Sequence, residues 1–311
     1  MIRATLLLLT LLASSLEADV TVHYTAEMKS SLPAAMQQAT AQLSSAMPSQ
    51  TVLLIKGNKS FSEYGGMRFI GDSATKKVIL LDTANKKYAT TDADEYIKAI
   101  TANMPKMPDA AAGMMAAFKT HVDTKATGRT ETIHGIEAEE QQITISMDGP
   151  AIPNLPPGPM IRVEMHIWMS KEGEVDKMPA LREWANYNQS AIANMNPTSG
   201  LKKLFGAIPG LGESMNTTFQ EIMKPNSVMM RLHLEMFMPA LAAMMKMAPQ
   251  ANSAGAEIDP NAAIMQMTQQ VADLSTEPIS DSQFDVPAEY AQESADQFMK
   301  DLVARATAPA Q

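Results

Sequence analysis

Cysteine is absent from the 311 residues. That excludes disulfides, thiolate metal centres, cysteine nucleophiles and a lipid-modified N-terminal cysteine. Aromatic residues are scarce at 5%, so other side chains must fill the interior. A basic block is missing too. Lys+Arg number 25 against 34 Asp+Glu, for a formal net charge of −9. An acidic chain without a basic stripe speaks against nucleic acid as a partner. Beyond residue 18, no segment reaches ~18 apolar residues without charge or proline, so no transmembrane segment is expected. There is no Gly-x-Ser-x-Gly elbow. Gly57-Asn58-Lys59-Ser60 has the Lys-Ser end of a phosphate loop without its upstream glycine, and reads as a hairpin turn. No glycine fingerprint opens a βαβ unit, so a nucleotide cofactor is not expected. These gaps leave no catalytic residue to name and no cofactor, and the chain reads as a non-enzyme.

What is present is a composition that folds: 45% hydrophobic and 19% charged. Residues 1–18 (MIRATLLLLTLLASSLEA) carry Arg3, a short leucine-rich run and then small residues. That layout is a cleavable secretory signal, with cleavage after Ala18 or, alternatively, Ser15. The mature protein is therefore expected in the periplasm or secreted. Residues 19–30 alternate strictly, as a half-buried strand does. Short strands follow at Thr51–Lys56, Lys59–Tyr64, Met67–Gly71, Lys77–Leu81 and Lys86–Thr90. They are joined at Gly57-Asn58, Gly65-Gly66, Gly71-Asp72 and Ala84-Asn85, which describes an antiparallel meander. Residues 92–119 turn helical and are broken by Pro105 and Pro108. A hairpin follows, Thr124–Ile133 and Ile136–Met147 about His134-Gly135. Then come a Pro/Gly loop at 149–160 and a strand Ile161–Ser170.

Helices are expected at 178–194 and 213–223, with a Gly/Pro-rich loop at 195–212 between them. Strand Ser227–Met238 sets Val228, Met230, Leu232, Leu234, Met236 and Met238 against Met229, Arg231, His233, Glu235 and Phe237. A strand near 263–277 and a helix at about 288–306 close the chain. Strands joined by hairpins, with helices inserted and at the end, predict an α+β fold. Its core is a strongly curved antiparallel sheet, a half-barrel, in one domain over 19–306, with a frayed tail at 307–311.

Three phrases occur together: TGRTETIHGIEAEEQQI at 127–143, HIWMSKEGE at 166–174 and SDSQFDVPAEY at 280–290. With them the chain resembles an exported bacterial family of unknown function related to the lipoprotein-carrier (LolA/LolB-like) half-barrels. The resemblance implies a curved antiparallel sheet wrapped around helices with an apolar cavity. It implies no catalytic residue. The insertions at 92–119 and 195–260 make this chain longer than a typical carrier.

Histidines His23, His166 and His233 fall on polar strand faces. His233 shares a face with Glu235, and His166 with Glu164. On neighbouring strands these could hold zinc or copper. The plainer reading, adopted here, is cross-strand charge pairing that keeps the outer face soluble.

Methionine is the abundant oddity, at 27 residues. Three uses are open: filling a core short of aromatics, lining an adaptable apolar ligand surface, or collecting Cu(I) through thioethers. The expected ligand-binding residues are Met165, Met169, Met230, Leu232, Met236 and Met238, with Phe205 from the 195–212 loop acting as a lid. The expected ligand is a lipid or an apolar lipoprotein segment, and the alternative is a periplasmic copper-binding protein. An envelope protein is a further candidate partner.

Overall fold

The computed structural model describes residues 19–32, 48–64, 66–103, 117–149, 158–195, 211–240, 242–243 and 259–307. Residues 1–18, expected as a signal, fall outside them, as do 196–210 of the expected lid with Phe205, most of 33–48, 149–160 and 240–260, the second half of 92–119 and residues 308–311.

Twelve strands form one curved, unclosed sheet. They are β1 (Val20–Ser30), β2 (Gln50–Lys56), β3 (Lys59–Tyr64), β4 (Met67–Asp72), β5 (Lys77–Asp82), β6 (Lys87–Asp92), β7 (Lys119–Ile133), β8 (Ile136–Asp148), β9 (Ile161–Ser170), β10 (Met229–Phe237), β11 (Met265–Ser275) and β12 (Ala291–Gln292). The order is β12-β6-β5-β4-β3-β2-β1-β11-β10-β9-β8-β7. Among the described residues every pairing is antiparallel except β12 with β6. The first strand thus sits mid-sheet, where β11 returns to close the two meanders against each other. The described helices are α1 (Ala93–Asn103), α2 (Glu174–Lys177), α3 (Pro179–Met195), α4 (Leu211–Ile222) and α5 (Ala295–Thr307).

Helices α1, α3, α4 and α5 pack on one face of the sheet. Leu181, Trp184 and Ala185 of α3 lie against Val20, Val22, Ile55 and Val271 in mid-sheet. Helices α1 and α5 cover Val78, Leu80 and Ala89 through Ala93, Ala99 and Phe298. At the other end, α4 covers Ile143, Ile145, Met165 and Ile167 with Leu211, Met215 and Ile222. The few aromatics sit where they join layers. Tyr24 meets Trp184 edge-on at 6.3 Å, and the Tyr187 hydroxyl donates to Ser60 Oγ at 2.6 Å. Among the described residues the opposite face is covered only in part. Ile279 and Phe284 lie over Phe61, Ile70 and Leu81.

Several boundaries differ from expectation by one or two residues, and β7 begins at Lys119, five residues before the expected Thr124 and inside the stretch expected to be helical. Two differences have a visible local cause. Gly71-Asp72 ends β4 rather than forming the turn. The Asp72 carboxylate accepts the N–H groups of Ala74 (2.9 Å) and Thr75 (3.1 Å), which starts the turn one residue later. The closing helix begins at Ala295, not 288. Ser294 caps it, with its Oγ accepting Gln297 N–H at 3.2 Å. The N–H groups of Ala291 and Glu293 are already committed to the carbonyls of Lys86 and Tyr88, as a strand.

Candidate functional site

Strand register brings most of the expected ligand residues onto the helix-bearing face. Leu234 lies between Met165 on β9 and Met267 on β11, and Met267 lies opposite Met28 on β1. In the next row Met236 sits between Val163 and Met265. Directly opposed side chains have Cβ atoms about 4.5–5.5 Å apart. Alkyl groups and thioethers from four successive strands therefore form one continuous surface. Met165 and Met169 are buried among the residues under α4, with Leu232 half-buried beside them. Met236 and Met238 pack half-buried on Leu32, Ala242 and Ile264. Met28, Leu234, Met265 and Met267 are half-buried as well.

Met230 goes elsewhere. It is fully buried in the mid-sheet cluster with Trp184. The reason is a bulge: Met229 pairs with Met169 and Arg231 with Trp168, so Met230 is the extra residue. The same bulge moves Met229, expected on the polar face, into the cluster under α4. A cleft of about 640 Å³ opens at the end of β8–β10, lined by Met169, Val175 and Ile222 with Glu139, Lys171 and Lys224.

The opposite face of β7–β11 is polar. Its register places His166 across from His233 and Glu164 across from Glu235. The imidazole centroids are 6.1 Å apart. His166 Nδ1 is 3.0 Å from Glu140 Oε1, and His233 Nδ1 is 2.7 Å from Thr268 Oγ1. Their Nε2 atoms face carboxylates, 3.9 Å from Glu164 Oε2 and 3.6 Å from Glu235 Oε1. Gln142 donates to Glu164 Oε2 at 3.3 Å and Gln266 to Glu235 Oε1 at 3.0 Å. A depression of about 470 Å³ includes both histidines, Glu140, Glu235, Trp168 and Arg231.

Trp168 stays 8% exposed on this polar face. Arg129 and Arg231 stand over its ring, at 6.0 and 5.7 Å from the centroid. Each arginine is held in turn. Arg231 makes two 2.8 Å bonds to Glu131, which hold that carboxyl below its ordinary value. Arg129 pairs with Glu140, which also accepts from Thr127. Burial pushes the Glu140 carboxyl up. The hydrogen bonds from Thr127, Arg129 and His166 outweigh burial and hold it below the usual glutamate range.

Glu140 was not among the expected site residues. It stands in the run Glu137-Ala-Glu139-Glu140, where alternation alone does not separate an anchor from a solvated charge. The signal for it is Gly128. At φ 74 this residue bulges β7 between Ala126 and Thr130, and Thr127 and Arg129 beside it are the two that reach Glu140.

No family model matches the chain, and no curated protein matches it. Among solved structures it is similar to a chain of PNGF-II, with TM-score 0.34 and 7% identity. The match covers 93% of this chain and 33% of that one, so the chain spans about a third of the structure it matches.

Proposed function

We propose that the protein is an exported, non-enzymatic binding protein, periplasmic or secreted, that holds a lipid or an apolar lipoprotein segment on the helix-bearing face of its curved sheet. The observation that carries this reading is the continuous surface of Met28, Met165, Leu234, Met236, Met265 and Met267 across β9, β10, β11 and β1. Outside the buried Met165, these side chains are only half-buried. A contiguous apolar patch on a folded protein marks a surface that something covers. Thioethers suit a variable occupant, because an unbranched, polarizable chain reshapes at low cost. The gain is area removed from water, at about 25 cal/mol per Å². The signal-like N-terminus and the resemblance to lipoprotein carriers agree with this reading.

Native mass spectrometry of protein purified from its own envelope tests it. A lipid-sized adduct retained under gentle desolvation is the expected result. A bare polypeptide mass counts against the reading.

One observation favours a second reading, a copper-binding protein. Met236 opposes Met265 and Met267 opposes Met28, which puts four thioethers on three adjacent strands. Titration with Cu(I) against a competing chelator separates the two. Affinity no better than that of free methionine removes copper.

A further inference from the structure

We propose that His166, His233, Glu164 and Glu235 bind a zinc-class divalent cation on the open face of β9 and β10. The proposal is independent of the apolar surface, which lies on the other side of the sheet.

Register supplies the first argument. Cross-strand charge pairing explains alternating His and Glu only if unlike residues face each other. Here Glu164 faces Glu235 and His166 faces His233. Carboxylates directly opposed on adjacent strands destabilise a sheet. A cation between them reverses that sign.

Geometry supplies the second. One ligand atom each from Glu164, His166 and Glu235 lies within 4.8 Å of the others. His233 stands outside that group of three, with its Nε2 3.6 Å from Glu235 Oε1. Tetrahedral zinc at metal–ligand distances of about 2.0–2.2 Å sets its ligands about 3.3–3.6 Å apart. Glu164, His166 and Glu235 close onto an ion by shortening separations of up to 4.8 Å by at most about 1.5 Å, with His233 turning in from its place beside Glu235, and all four side chains are 15–31% exposed.

The surrounding hydrogen bonds supply the third. A histidine that ligates through Nε2 needs its Nδ1–H held by an acceptor. Glu140 does this for His166 and Thr268 for His233. Both carboxylates are steadied by a glutamine amide, from Gln142 and Gln266. Among the described residues no nearby arginine touches the proposed ligating nitrogens. Arg129 is paired with Glu140, with its Nη2 also 3.3 Å from His166 Nδ1, and Arg231 is paired with Glu131. Arg162 lies 3.0 Å from Glu164 Oε1 and stacks on Phe237 at 4.3 Å. That leaves Oε2, the oxygen on the His166 side, which accepts from Gln142 and keeps a second lone pair for the ion. Two imidazoles with two carboxylates suit zinc and its transition-metal neighbours. Magnesium and calcium ask for six or more oxygens.

Isothermal titration of untagged protein with Zn²⁺ alone tests the site. The expected result is one ion per chain at micromolar affinity or tighter, undisturbed by millimolar Mg²⁺. Co²⁺ in place of zinc is expected to show the visible absorption of a four-coordinate site. His233→Gln and Glu235→Gln each lower Zn²⁺ affinity at least tenfold, while His121→Gln at an exposed pair on β7 leaves it unchanged. Thr268→Val removes only the hydroxyl that orients His233 and lowers affinity about 10–100-fold, which keeps the test open if a ligand variant fails to fold. Absence of saturable Zn²⁺ binding below 0.1 mM overturns the proposal. So does binding that survives both His233→Gln and Thr268→Val.

Discussion

Glu140 shows what a single side chain contributes here. Its side chain is 1% exposed, yet it stays ionised among Thr127, Arg129 and His166. Removing one partner of a buried charged network costs more than the network gains over an apolar substitute. Glu140→Ala strands a guanidinium, a hydroxyl and an imidazole nitrogen. It is expected to lower the urea unfolding free energy by about 2–3 kcal/mol with little change in slope.

The pH dependence has a definite sign. The folded carboxyl lies below the ordinary 4.5. Its stabilisation is therefore complete above that value and is lost as pH falls through the lower, folded one. Glu140→Gln is expected to flatten the acid limb of a stability–pH curve below about pH 4.5. An unchanged limb would show that the network does not act through this charge. At this scale the sequence was legible in type and not in role. Alternation put His166, Glu164, His233 and Glu235 on the correct face, but like facing like is a matter of register, which is set by strands 60 residues apart. Glu140 was hidden for the same reason, since its partners come from a bulge on the neighbouring strand.

Among elements, the closing helix is tied to the meander by charge as well as by packing. Phe298 and Met299 of α5 bury against Val78, Leu80 and Ala89. Arg305 in its last turn reaches Asp82, at the end of β5, whose side chain is 3% exposed. Burial raises the Asp82 carboxyl, and bonds from Asn85 and Arg305 bring it below its ordinary value. Arg305 is 43% exposed, so solvent screens the pair and its contribution sits at the low end for a charged hydrogen bond. Arg305→Ala is expected to cost about 1–2 kcal/mol and to raise amide exchange in α5 before the central strands. Exchange that rises uniformly across the sheet would contradict a local tether.

Periodicity carried the elements well. The expected and observed limits of β3 and β9 coincide, and His134-Gly135 takes the paired positive φ of a two-residue hairpin, 50 and 77. It failed where a side chain overrode the pattern, as when Asp72 drew the turn forward and Ser294 moved a helix start. It failed at Met230 because a bulge adds a residue without marking the apolar alternation.

For the molecule as a whole, the sheet separates two kinds of chemistry by its thickness. Thioethers and alkyl groups line the face that carries the helices. Imidazoles, carboxylates and guanidinium groups line the other between β7 and β11. That division was readable, because period-two alternation assigns a face before it assigns a neighbour. Which methionines stay reachable was not readable, since α4 covers Met165 and Met169 from 50 residues away.

Peroxide oxidation distinguishes these groups directly, because conversion to the sulfoxide requires access. Met28, Met236, Met265 and Met267 are half-buried, whereas Met230 is fully buried. Peptide mapping is expected to show the first four oxidised at least several-fold faster than Met230. Laurate at saturating concentration is expected to slow those four and leave Met230 unaffected, because an acyl chain on the shared surface excludes the oxidant from all of them together. Protection confined to one strand would mean the rows do not act as a single surface. No protection at all would leave the methionines as filling for a core poor in aromatic rings.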